Sequence, residues 1–160
     1  MYRSCGNIDT PINVDTSGIT ACDNAFSQGG IKEIVEFNTG SASSLPSTFQ
    51  NSQRLETIGK IILNDNNITF TNTFAHCKGL KNITFEGEIK NSISFAQSTK
   101  LTVESMKNII EHLKRYDETS QQQVLSFAKE SWDLLEASGP SPENSSWEDY
   151  VNSLGWSTGS

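Results

Sequence analysis

The 160-residue chain has no cluster of Lys and Arg, no long apolar run, no paired cysteines and only two histidines. Each absence excludes something. Without a basic stripe there is no electrostatic footprint for a phosphate backbone, so nucleic acid is not an expected partner. Without a run of about 18 apolar residues, no helical span of a membrane is expected. Cys5, Cys22 and Cys77 form no CxxC pair and have no His at ligand spacing, so no metal site and no cofactor is read from them. The N-terminus, MYRSCGNIDT, lacks the basic and apolar regions of a signal peptide. It already reads as repeat, which suggests a piece of a longer array or a chain exported by another route. Apolar content is 34%, below the roughly 45–50% of ordinary globular domains. Net charge is −7 and unevenly placed: residues 1–100 carry 8 basic and 9 acidic side chains, residues 101–160 carry 4 and 10.

What is present is a period. Tyr2, Phe26, Phe49, Phe74 and Phe95 follow one another at intervals of 24, 23, 25 and 21 residues. Each is followed five or six residues later by an aliphatic: Ile8, Ile31, Leu55, Leu80 and Leu101. Further apolar residues come at strand-like intervals, as in Ile31–Ile34–Phe37, Leu55–Ile58–Ile61 and Leu80–Ile83–Phe85, with Ile8–Ile12–Val14 a looser version. Ile19, Leu45, Ile68 and Ile89 precede the aromatics by four to seven residues. Between them lie DTSG, NTGSASS and NDNN, compositions that favour turns. Three residues after each aromatic stands a small residue (Cys5, Gly29, Ser52, Cys77, Ser98), so the thiols read as packing. A period of this size is that of stacked units, each burying its apolar face against its neighbours.

Segments such as DNAFSQGGIKEI, STFQNSQRLETI and NTFAHCKGLKNITF resemble BspA-like leucine-rich repeats, with Phe74–Ala75–His76–Cys77–Lys78–Gly79–Leu80 the nearest to that pattern. The resemblance covers residues 1 to about 102. The step from Phe26 to Ile31 is one residue short, and Phe95 leads into LTVESM, where the array ends. The resemblance implies an α/β fold: a right-handed leucine-rich-repeat solenoid of about five units over 1–102, closed by an α+β C-terminal capping segment over 103–160. It also implies adhesion at an extracellular, cell-surface or virion location, in the manner of bacterial surface or phage tail-associated proteins.

In the terminal segment Thr102 can cap a helix whose apolar stripe is Val103, Met106, Ile109, Ile110, Leu113 and Tyr116, with Lys114 and Arg115 near its C-terminal end. Residues 122–128 read as a strand, with a helix through Val124, Ala128, Trp132 and Leu135 the alternative. A helix at 130–137, another in SSWEDYVNSLG and a closing strand at Gly155–Trp156–Ser157 complete the expectation.

No residues gather into a catalytic constellation. His76 and His112 have no partners at useful spacing. The pairs Asp117/Glu118 and Glu148/Asp149 read as surface charge, and NDNN lacks the Gly and Glu of a calcium loop. Asn67, Asn82 and Asn144 begin glycosylation triplets, two of which have a core Ile in the middle. Trp132, Trp147 and Trp156 sit at apolar-periodic positions and read as core. The candidate site is therefore the polar face of the strands: Lys32, Glu33 and Glu36, then Glu56, Thr57 and Lys60, then Lys81, Asn82 and Thr84. It suits a protein or glycan partner, and further repeats or another chain at the N-terminal edge. The alternatives are a solvated face with no ligand and a structural spacer or assembly element.

Overall fold

The computed structural model describes residues 3–117, 123–144 and 146–160, so Tyr2, Glu118 and the start of the expected 122–128 strand lie outside it. The fold is α/β, with every strand pair parallel. The first sheet runs β1 (Ile12–Asn13), β2 (Glu33–Asn38), β3 (Thr57–Ile62), β4 (Asn82–Glu86), in sequence order. The second runs β5 (Ile93–Phe95), β6 (Gln123–Phe127), β7 (Trp156–Gly159). Three short helices, α1 (Val103–Glu111), α2 (Lys129–Ala137) and α3 (Trp147–Ser153), connect the second sheet.

The apolar period becomes register. Ile34 faces Ile58, which faces Ile83, while Phe37 faces Ile61, which faces Phe85. All six are buried. β-Branched residues dominate these strands, as a pleated, half-buried surface favours. After β2 the chain turns at Gly40, held at φ +57°, where a Cβ would sit 2.4 Å from the Ile19 carbonyl oxygen. The Gly40 amide donates to Asn38 Oδ1 and the Asn64 carboxamide donates to the same oxygen, each turn thus bracing the one before it.

On the opposite side of each unit the aromatics stack. Phe26–Phe49 centroids lie 5.4 Å apart, Phe49–Phe74 5.6 Å and Phe74–Phe95 4.6 Å, with interplanar angles of 19°, 12° and 23°. Offset stacking of this kind adds to the gain from burial alone. The backbone around each ring takes a repeated irregular form. Residues two before (Asn24, Ser47, Asn72) and two after (Gln28, Asn51, His76) have positive φ. This arrangement aims alternate amides at the next unit. Asn24, Phe26 and Gln28 donate to the carbonyls of Pro46, Thr48 and Gln50; Ser47, Phe49 and Asn51 donate to those of Thr71, Thr73 and Ala75. The small-residue slot adds a side-chain rung: Ser52 Oγ and Cys77 Sγ donate to the carbonyls of Phe26 and Phe49.

The last strand of the first sheet has no successor, and α1 covers its edge. Ser105 Oγ and Asn108 Oδ1 accept from the amides of Ile83 and Phe85 at 3.0 and 2.7 Å. A strand edge that would otherwise offer open donors is closed by two helical side chains. Thr102 caps α1 as expected, accepting from the Ser105 amide. The helix is shorter than its apolar spacing suggests: it ends at Glu111, and Leu113, Lys114, Arg115 and Tyr116 lie beyond it. Ile89 explains the stop. Its amide donates to the His112 carbonyl and its carbonyl accepts from Lys114, which draws the chain out of the helix into a parallel bridge. Residues 123–127 are strand, and Leu125 and Phe127 point into the core. All three tryptophans are buried, and their indole N–H groups donate to the carbonyls of Gly159, Gly139 and Lys114. No helix among the described residues is long and apolar enough to cross a membrane.

Candidate functional site

The in-register strands sort the nine strand-face residues into rows, and none of the nine is buried. Just before the strands run Lys32, Glu56 and Lys81, coupled through the backbone: the Glu56 amide donates to the Lys32 carbonyl and the Lys81 amide to that of Glu56. Lys81 Nζ lies 2.8 Å from Glu56 Oε2. The hydrogen bond from Lys81, helped by the charges of Lys81, Lys32 and Lys100, holds the Glu56 carboxyl below its ordinary value against a smaller desolvation effect. The next row is Glu33, Thr57 and Asn82. Asn82 Nδ2 reaches Thr57 Oγ1 at 3.5 Å.

Beyond them Thr84 Oγ1 donates to the Gly59 carbonyl. Gly59 is required there, because a Cβ would stand 2.4 Å from the Val35 carbonyl oxygen. At the far end Lys60 lies 3.0 Å from Glu86. That hydrogen bond, with the charges of Glu86 and Glu36, raises the Lys60 ammonium above its ordinary value.

The rows differ in polarity. The strand entry is positive–negative–positive (Lys32, Glu56, Lys81), and the exit row is Glu36, Lys60 and Thr84, with Lys60 reaching diagonally to Glu86, the register partner of Ile62. Two cations missed in the sequence reading reinforce the entry: Arg54 and Lys100, which share a shallow depression with Lys32, Glu56 and Lys81. Arg54 is tied to Asp9 at 2.6 Å and to the Gly30 carbonyl. Both occupy the position just before the aliphatic (Gly30, Arg54, Gly79, Lys100), a column the alignment on the aromatics contains. Glu86, also missed, follows the last apolar anchor of its unit.

These exposed ion pairs contribute little to stability, so stability alone does not account for the arrangement. Its chemistry is that of a polar, dipolar plate. It can accept and donate hydrogen bonds and match an opposed charge pattern, and it holds no nucleophile beside a base.

The other candidate residues are scattered. His76 is exposed and its amide donates to Gln97 Oε1, while His112 caps α1 just past Glu111, with Nδ1 2.8 Å from the Asn108 carbonyl. Among the described residues no three His, Cys, Asp or Glu side chains gather to hold a metal ion. Cys22 and Cys77 are buried free thiols, and burial pushes Cys77 up to about 12 and Cys22 upward as well. Asn67 and Asn82 are exposed while Ile68 and Ile83 beside them are core. No family model matches the chain, and none of the curated proteins or solved structures compared with it is similar.

Proposed function

We propose that the chain is a non-enzymatic recognition module, built as a leucine-rich-repeat solenoid of the BspA-like kind. It binds a protein or glycan partner at a cell or virion surface through the strand face. The observation that carries this reading is the alternating charge row Lys32–Glu56–Lys81 across the strand entries, with the Lys60–Glu86 ion pair at the strand exits. Complementary charge patterns of this sort serve partner choice and encounter more than stability. The parallel register, the one-unit offsets of the backbone hydrogen bonds and the aromatic stack support the solenoid reading. The binding reading is tested by titrating the labelled chain onto a panel of bacterial and animal cells, with a Lys60→Glu/Asn82→Ala variant beside it. Saturable binding that the variant loses is the expected result. A folded chain that binds no cell favours a structural spacer or assembly element instead.

A further inference from the structure

The amide ladder fails at one place. In the second and third units the residues two before, at and two after the aromatic all donate to backbone carbonyls of the next unit. In the fourth unit the equivalent donors are Asn72, Phe74 and His76. His76 is satisfied, but by the side-chain carbonyl of Gln97. The amides of Asn72 and Phe74 have no hydrogen-bond partner among the described residues. Phe74 is only 1% exposed, and a buried amide without an acceptor is rare enough to call for one. The cause is β5. The carbonyls that should receive these donors belong to Ser92 and Ser94, and this stretch has joined β6 instead of repeating the irregular turn. Side chains mark the same break: Thr48 and Thr73 reach back to the carbonyls of Cys22 and Leu45, whereas Ser94 Oγ accepts from its neighbour Ala96.

A cleft opens at this seam. Its larger lobe, of about 500 Å³, lies between the 69–72 segment and β5–β6. A smaller lobe of about 260 Å³ reaches Phe74 and Gln97, and the two share Phe70, Asn72 and Ser94. The larger lobe alone falls in the range of small-molecule sites, roughly 300–1,000 Å³.

The lining decides the ligand class. The whole chain has 12 basic and 19 acidic side chains, and among the described residues none of them lines either lobe. An ion entering there would lose hydration without gaining a counter-charge. What lines the cleft is hydroxyl and carboxamide: Thr69, Thr71, Ser126, Asn72, Asn91 and Gln123, with the exposed isopropyl of Val124 beside them. Gln123 is oriented by Ser92, whose amide and hydroxyl both donate to its Oε1, and this leaves the carboxamide NH₂ to face a ligand. Donors and acceptors are mixed, and the amides of buried Phe74 and exposed Asn72 have no acceptor among the described residues. We infer that this seam is a binding site for a neutral saccharide. Sugar hydroxyls accept from the Asn72 and Phe74 amides and donate to the side-chain oxygens, and a sugar C–H face packs on Val124. The site shares no residue with the strand face and stands whether or not that face binds anything.

The test is an amide-resolved NMR titration of the whole chain with glucose, galactose, N-acetylglucosamine and maltose, with glucuronate and acetyl-glycylglycine amide as counter-probes. The expected result is saturable movement of the Asn72 and Phe74 signals by at least one neutral sugar, and weaker movement by glucuronate. Ser94→Trp, which fills both lobes, abolishes the effect, and Thr71→Val, which keeps shape but removes a hydroxyl, weakens it several-fold. The Lys60→Glu/Asn82→Ala variant still responds, which separates this site from the strand face. The inference is overturned if no sugar moves these two amides, if only the peptide probe does, or if Thr71→Val responds like the parent.

Discussion

The two sheets reach the same parallel geometry by different routes. In the first, each strand pairs with the strand one unit away, and the backbone rungs and ring stack recur from unit to unit. In the second, β5 pairs with a strand about thirty residues on and β6 with one about thirty further, across helices whose sequences do not repeat. The aromatic stack crosses between them: Phe95 meets Phe127 at 6.1 Å, and Phe127 meets Trp132 at 4.8 Å. The core is therefore shared, while the hydrogen-bonded skeleton is not. The difference teaches that a repeat can end with its apolar column intact and only its amide ladder broken.

The largest expected effect comes from cutting that shared column. Phe74→Ala, at the closest ring contact, should cost about 3–5 kcal/mol and should loosen both sheets together. Denaturant titration followed by far-ultraviolet circular dichroism checks this, and a midpoint unchanged from the parent would refute the stacked-aromatic account. Next comes the edge between the sheets. Asn108→Ala leaves the Phe85 amide without its acceptor, a loss of about 1–3 kcal/mol. Hydrogen exchange should then rise at β4 and leave β6–β7 slow; uniform acceleration would mean the sheets open as one.

A smaller effect is expected from the thiols. Burial keeps the Cys77 proton until about pH 12, against a reference of 9.0. The chain's stability should thus be undiminished by this group below about pH 9 and fall as pH climbs toward 12. In the folded protein at neutral pH a thiol reagent should label half-exposed Cys5 and spare Cys22 and Cys77. Rapid labelling of all three would show that the column breathes. Smallest of all is Lys60→Glu, which puts a carboxylate between Glu36 and Glu86 on exposed surface. It should leave the melting temperature nearly unchanged, so a drop of many degrees would mark the charge rows as structural.

The first sheet was legible because its slots repeat. One alignment on Phe26, Phe49 and Phe74 located the stack, the buried Ile34–Ile58–Ile83 row and the small residues beside the rings. The nine strand-face positions followed from reading between the apolar anchors. Arg54 and Lys100 were passed over because they precede those anchors. The α1 helix shows where periodicity stops informing: its apolar spacing runs through Tyr116, but Ile89, a residue in another unit, ends it at Glu111. The roles of Ser105 and Asn108 were equally invisible, since their partners are amides more than twenty residues away. The seam cleft exists only because β5 chose β6 as its partner, and nothing local to 91–97 records that choice.

The alternating left-handed residues around each ring have a consequence for how the molecule can be dismantled. Apart from glycine, such conformations cost roughly 1–2 kcal/mol per residue, and the amides they aim outward find acceptors only in the adjoining unit. A lone unit has no reason to hold this shape. Proteolytic trimming from the β1 end should therefore advance in whole-unit steps, with cuts inside a turn segment releasing everything back to the preceding strand. A ladder of digestion products spaced by about one unit would be its signature.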